Sequence, residues 1–162
     1  MTSLNQHMQE YKKQLDKGMI QQAYRGLFDF YSALRSYLKE KYPDHLIPGS
    51  IYQGYMDMTY FSYSPPILKK KDLKIAIVFL HKPMRFEVWL GAVNRHVQNH
   101  YRELFRKKGW DKAPLTEPGK GVDAIVALPL AEHPDFDHQP ALMRQIEQGV
   151  TEFINDVIYF LS

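Results

Sequence analysis

Arg85-Phe-Glu-Val-Trp-Leu-Gly-Ala-Val-Asn-Arg-His-Val-Gln-Asn-His-Tyr-Arg-Glu-Leu-Phe-Arg-Lys-Lys108 changes its hydrophobic period part-way along. Up to Leu90 the apolar residues alternate, as on a half-buried strand. Beyond Gly91, Val93, Val97, Tyr101, Leu104 and Phe105 recur every three or four residues, as on one face of a helix. The passage therefore predicts a strand over 85–90 that runs into a helix over 92–108. That helix buries its apolar stripe and exposes Arg95, Arg102, Arg106, Lys107 and Lys108.

Working upstream, 73–81 and 55–63 are rich in β-branched and aromatic residues and keep a period of two. Lys82-Pro83-Met84 is a tight connection, so the last two strands form a hairpin. The longer link through Pro65-Pro66 to Lys69-Lys70-Lys71 has room for one helical turn. Parity then sorts the meander into two faces. Met56, Met58, Tyr60, Ala76, Val78, Leu80, Phe86, Val88 and Leu90 make the face that helices should cover. Tyr55, Asp57, Thr59, Phe61, His81, Arg85, Glu87 and Trp89 surround Ile75, Ile77 and Phe79 on a mixed face, the place for a ligand or partner.

Ser3 and Gln6 form a capping box ahead of Leu4, Met8, Tyr11 and Leu15, and Gly18 stops that first helix. A second helix carries Ile20, Ala23, Leu27, Tyr31, Leu34 and Leu38 on one stripe and ends before Tyr42-Pro43. Residues 43–54 read as a loop. Downstream, a Pro- and Gly-containing loop over 111–121 leads to a fourth strand over 122–130, closed by Pro129. Pro140 then opens a final helix that turns Leu142, Ile146, Val150, Phe153, Val157 and Phe160 inward. The expected fold class is α+β in a single domain over 1–162. It has an N-terminal helical hairpin, a three-stranded antiparallel meander, and a fourth strand added by a crossover parallel to one neighbour. The helices lie mainly on one sheet face.

With 162 residues the chain is large enough to bury a core without metal or disulfide, and it has no cysteine. Thiolate nucleophiles and Cys-based metal centres are thereby excluded. The polar beginning and the short longest apolar run, 75–80, predict a cytoplasmic protein with no membrane contact. The net charge of +3 is unevenly spread: Arg144 is the sole basic residue from 123 onward, facing seven acids there. A basic body can attract nucleic acid or an acidic partner, or be neutralised by its own acidic helix.

The helix–meander–helix–strand order resembles the core of restriction-endonuclease-like nucleases. That resemblance implies acids on adjacent strands and a lysine two residues after one of them. Glu87-Val-Trp89 has tryptophan where the lysine is expected, and Asp57 lies about two strand spacings, on the order of 10 Å, from Glu87. His96, His100 and Glu103 share one helix flank, and His133, Asp135, Asp137 and His138 share one loop. Their nearest explanations are a solvated flank next to Arg95 and Arg102, and Asp137 capping the following helix. No phosphate-binding glycine loop, dinucleotide fingerprint or serine elbow occurs, so no cofactor is implied.

Gly54-Tyr-Met-Asp-Met-Thr-Tyr-Phe61, Leu73-Lys-Ile-Ala-Ile-Val-Phe79 and Arg85-Phe-Glu-Val-Trp-Leu90, followed by Asn94, Val97-Gln98 and Tyr101, are similar to a family of uncharacterised bacterial proteins. The likeness spans nearly the full length and implies no activity or catalytic residue.

The functional expectation is a non-catalytic binding domain. Tyr55, Asp57, Arg85, Glu87 and Trp89 would face an anionic small molecule or an acidic macromolecule, beside the basic helix. Nucleic acid is the less favoured partner. The alternatives are a divergent metal-dependent nuclease or phosphodiesterase, and a structural module that homodimerises through its sheet face.

Overall fold

The computed structural model describes residues 1–117 and 124–162. Val122, the expected start of the fourth strand, lies outside the described residues, as does the end of the loop before it. The chain divides into two compact units, Met1–Tyr37 and Leu38–Ser162.

The first unit holds helix α1 (Leu4–Lys17) and most of α2 (Met19–Lys41). At the start of α1 the Gln6 amide donates to the Ser3 hydroxyl, and the Ser3 amide donates to the Gln6 side chain at 2.7 Å. Gly18 ends α1 in the left-handed region at φ +74°, where a residue without a Cβ is favoured. The apolar stripe of α1 is not buried: Leu4, Met8 and Tyr11 are exposed. In α2 burial falls on the later part of the expected stripe, at Tyr31, Leu34 and Leu38, together with Phe30, while Ala23 is exposed.

The second unit is built on five strands: β1 (Tyr52–Gln53), β2 (Met58–Ser62), β3 (Leu73–Leu80), β4 (Arg85–Ala92) and β5 (Val126–Ala131). They lie in chain order, each antiparallel to the next. The fold is thus α+β, with a longer meander than expected. Two-residue β1 falls inside the segment expected to be loop.

The expected parallel crossover is replaced by an antiparallel step. Helix α4 (Arg95–Lys107) carries the chain about 20 Å away from the end of β4. The connection 108–125 is long enough to bring it back, so β5 starts where β4 finishes, with Leu90 opposite Val126. Pro129 does not close β5, which continues to Ala131. The strand is at the sheet edge, where a missing N–H is tolerated, and a bulge lies beside Pro129.

A further correction concerns the faces. The β3–β4 connection has four residues, His81 to Met84, because Leu80 pairs directly with Arg85. Met84 completes it at φ +55°. Relative to the expected pairing this is a shift of one residue, and one residue turns a strand over. Ile75, Ile77 and Phe79 therefore share a face with Phe86, Val88, Leu90, Thr59 and Phe61, and this is the buried face. Met58, Tyr60, Ala76 and Leu80 go to the other side with Arg85, Glu87 and Trp89.

Helix α5 (Gln139–Leu161) packs on β4 and β5 and buries Leu142, Ile146, Val150, Phe153 and Val157, as its periodicity predicts. Phe136, just before it, meets Phe79 and Phe86 with ring centroids 5.9 Å apart. Phe105, Trp110 and Phe160 form an aromatic cluster that joins α4 to α5. Short α3 (Pro66–Lys69) is the helical turn expected after Pro65. No helix among the described residues is long and apolar enough to cross a membrane.

Candidate binding groove on the open sheet face

The open face gets its relief from residue size. Across the sheet, Ser62, Ala76 and Trp89 stand in one row, so one large ring rises beside two small side chains. Tyr60 and Val78 occupy the next row. Tyr60 is braced by Tyr52, 4.9 Å between ring centroids. The result is a groove of about 360 Å³ floored by Ala76, Val78 and Gly91 and walled by Met58, Tyr60 and Trp89. Its far end is closed by Lys74 and by the first turn of α4, through Asn94, Arg95 and Gln98.

Trp89 is held at a fixed angle. Its indole N–H donates to Glu87 Oε1 at 2.8 Å, and Arg85 Nε donates to Glu87 Oε2 at 2.6 Å. The three residues alternate along β4, so their side chains project from the same face. Glu87 is only 4% exposed, and each of its carboxylate oxygens accepts one of these bonds. This carboxylate works as an anchor for its two neighbours.

Asn94 starts α4. Its side chain accepts the Val97 amide at 2.9 Å, and the positive end of the helix dipole is directed to the groove's far end. Lys74 and Arg95 add two formal positive charges. No acid occurs among the described lining residues.

Of the five expected ligand-facing residues, Trp89 lines the groove, Arg85 and Glu87 stand beside it on β4 without lining it, and the other two lie elsewhere. Tyr55 and Asp57 are in the β1–β2 turn, not on a strand. Tyr55 is 91% exposed, and Asp57 accepts the Met58 amide at 2.7 Å. The turn is tight: a Cβ on Gly54 would run into the Asp57 carboxylate and lie 2.8 Å from the Met58 carbonyl oxygen. His81, expected on the mixed face, is in the β3–β4 turn and shares a hydrogen bond of 2.9 Å with buried Thr59. Burial lowers the His81 pKa, against the opposing charge of Asp57.

The basic helix is also less free than its sequence suggests. Arg102 is 7% exposed, contrary to the expected solvent position. It donates to the Thr116 carbonyl at 3.1 Å, the Ala124 carbonyl at 3.0 Å, Asn99 Oδ1 at 3.0 Å and Thr116 Oγ1 at 3.2 Å. The buried stripe of α4 is accordingly Gln98, Arg102 and Phe105, and Val93 is exposed. Arg106 pairs with Glu103, whose pKa is lowered by that bond. Lys108 donates to the Phe160 carbonyl at 2.7 Å and so caps the end of α5. Lys107 is exposed.

No cluster of three metal-ligating side chains occurs among the described residues. In the loop before α5, Asp135 bonds His138 at 2.7 Å and its pKa is lowered by that contact. His138, not Asp137, occupies the N-cap, without a side-chain capping bond.

The groove residues that the sequence misplaced are Met58, Tyr60, Ala76 and Val78. The signal that could have placed them is Lys74. A charge in the same parity set marks that set as the outward one, whereas Leu73, Ile75, Ile77 and Phe79 are uniformly large and apolar.

Sheet, helices and groove together define an α+β protein with one helix-covered and one open sheet face. Residues 4–161 match a family described as a domain of unknown function, DUF7000, and the chain belongs to that family. Neither a curated protein nor a solved structure matches it.

Proposed function

We propose that the chain is a binding domain that holds an anionic small molecule in the groove on its open sheet face. The observation that carries this reading is the lining: Trp89 and Tyr60 at one end, Lys74 and the first turn of α4 at the other, and no acid among the described lining residues. Concave, largely apolar surfaces with a few convergent polar groups are where small ligands are held. The groove's size falls at the lower end of the usual range, about 300–1,000 Å³. An acidic macromolecule is the weaker fit, because Arg102, Arg106 and Lys108 are engaged within the protein. The nuclease reading loses support from Glu87, whose oxygens accept from Arg85 and Trp89. The setting proposed with this reading is the bacterial cytoplasm, where anionic metabolites are abundant.

The chain has two tryptophans, which makes the test direct. Trp110 is buried and donates to the Ala113 carbonyl at 2.9 Å, so Trp89 is the one a groove ligand would reach. Titration with a panel of small carboxylates, phosphates and sulfates should change the intrinsic fluorescence for at least one class. Trp89→Phe should abolish the change, and Lys74→Glu should weaken it. A panel that leaves Trp89 emission unchanged, with no binding heat by calorimetry, refutes the proposal.

A further inference from the structure

Resting on the reading of the groove as an anion site, we infer that its ligand is a nucleotide, with a flat base against Trp89 and a phosphate chain running out past Lys74 and Arg95. The two ends of the groove ask for different chemistry. At the Trp89 end, the row Ser62, Ala76, Trp89 leaves a depression beside one large ring, and Glu87 already accepts the indole N–H. What remains for a ligand there is mainly ring surface, which favours stacking of a planar group over hydrogen bonding. Such stacking is tolerant of base identity because every base has a π face.

The other end lies where β3 begins and β4 finishes. The Val93 amide donates to the Asp72 carbonyl at 3.1 Å, which ties the end of β4 to the residue after Lys69-Lys70-Lys71. All three of these lysines are exposed. Residues 69–74 hold four lysines and one acid, Asp72, and of these Lys74 lines the rim beside the start of α4, with the other three lysines in the turn just before it. A single carboxylate needs one or two of these cations. A run of them suits several charges in a line, as in a di- or triphosphate. An oligonucleotide is a poorer fit. It needs a continuous basic track, and farther along α4 Arg102 is buried, while Arg106 and Lys108 are bonded to Glu103 and the Phe160 carbonyl.

The test is calorimetric titration of the full chain with adenosine triphosphate, adenosine and inorganic tripolyphosphate, without divalent metal. Adenosine triphosphate should bind about ten-fold or more tightly than either fragment. Lys74→Ala should weaken adenosine triphosphate and tripolyphosphate and leave adenosine unchanged. Ala76→Leu, which fills the depression, should weaken both adenine compounds and spare tripolyphosphate. Should that variant fold poorly by urea denaturation, Ser62→Leu in the same row gives the same reading. Equal affinity for tripolyphosphate and adenosine triphosphate overturns the base site and leaves the anion reading standing, as does binding of some other anion while adenosine triphosphate fails. Equal affinity for adenosine and adenosine triphosphate, or no binding by any anion, overturns both.

Discussion

Glu87 and Arg102 are both buried charged residues, the first held by neighbours on its own strand and the second by carbonyls from the connection after α4, and each has a distinct job. Glu87 collects the Arg85 guanidinium and the Trp89 indole on the open face. Replacing it with alanine leaves two donors without their acceptor, so Glu87→Ala should lower unfolding free energy by about 1–3 kcal/mol in urea denaturation. Glu87→Gln keeps an acceptor for the indole and should lose less. Arg102 instead gathers neutral acceptors, the Thr116 and Ala124 carbonyls among them. Arg102→Met keeps the apolar stem but leaves those buried acceptors short of a donor. The expected loss is about 2–3 kcal/mol by the same measurement, and Arg102→Lys should recover little because lysine lacks the fork. The sequence showed that both residues were charged but not that they were buried: the helical periodicity of α4 ranks apolar residues, and a buried arginine satisfied by carbonyls from residues 116 and 124 leaves no mark on that period.

At the level of elements, the β3–β4 connection determined how much of the site could be read. Its strands were visible from Ile75, Ile77, Phe79, Phe86 and Val88, and so was the turn at Pro83. Its length was not, because Met84 has no chemical feature that announces a left-handed backbone. Counting three residues instead of four exchanged the two faces of β3 relative to β4. Arg85, Glu87 and Trp89 kept their open position, while the groove floor was assigned to the core. The Met84 conformation also yields a prediction. A non-glycine residue pays about 1–2 kcal/mol in the left-handed region, and asparagine tolerates it better. Since Met84 is exposed, Met84→Asn should raise the urea midpoint, by about 0.5–1 kcal/mol in stability, with an unchanged denaturant slope. A lower midpoint would mean that the Met84 side chain contributes more than its exposure suggests.

For the molecule as a whole, acid sensitivity follows from two histidines. Burial lowers the His45 pKa, with Asp44 opposing, and does the same at His81, with Asp57 opposing. His45 is stacked on Tyr63 at 4.6 Å, and its Nδ1 has no hydrogen-bond partner among the described residues. Burial, followed by the nearby Tyr42 and Glu147, also keeps the Tyr63 phenol protonated well past its ordinary range. Both imidazoles bind protons more weakly in the folded chain than in the unfolded one. Their contribution is therefore fully present above the ordinary histidine value, about 6.5, and is lost as pH falls below it through the lower folded values. Unfolding free energy should drop as pH falls below about 6.5, and His45→Phe should flatten that slope. At this scale the element types were legible, because capping boxes, prolines and hydrophobic periods are local signals. The antiparallel return of β5 was not, because it depends on the long connection 108–125 and on pairing with β4.

The sheet's two rims have a consequence for how copies of the protein meet. An open β-edge offers unpaired amides and carbonyls to any other chain. Here one rim is β1, only two residues long, and the other is β5, interrupted by Pro129 and a bulge. Neither gives a second chain a long, regular ladder to extend. Strand addition is blunted at both ends of the sheet, so a crowded solution of this protein resists cross-β polymerisation, and its open face can stay exposed to solvent and ligand without inviting growth from the edges.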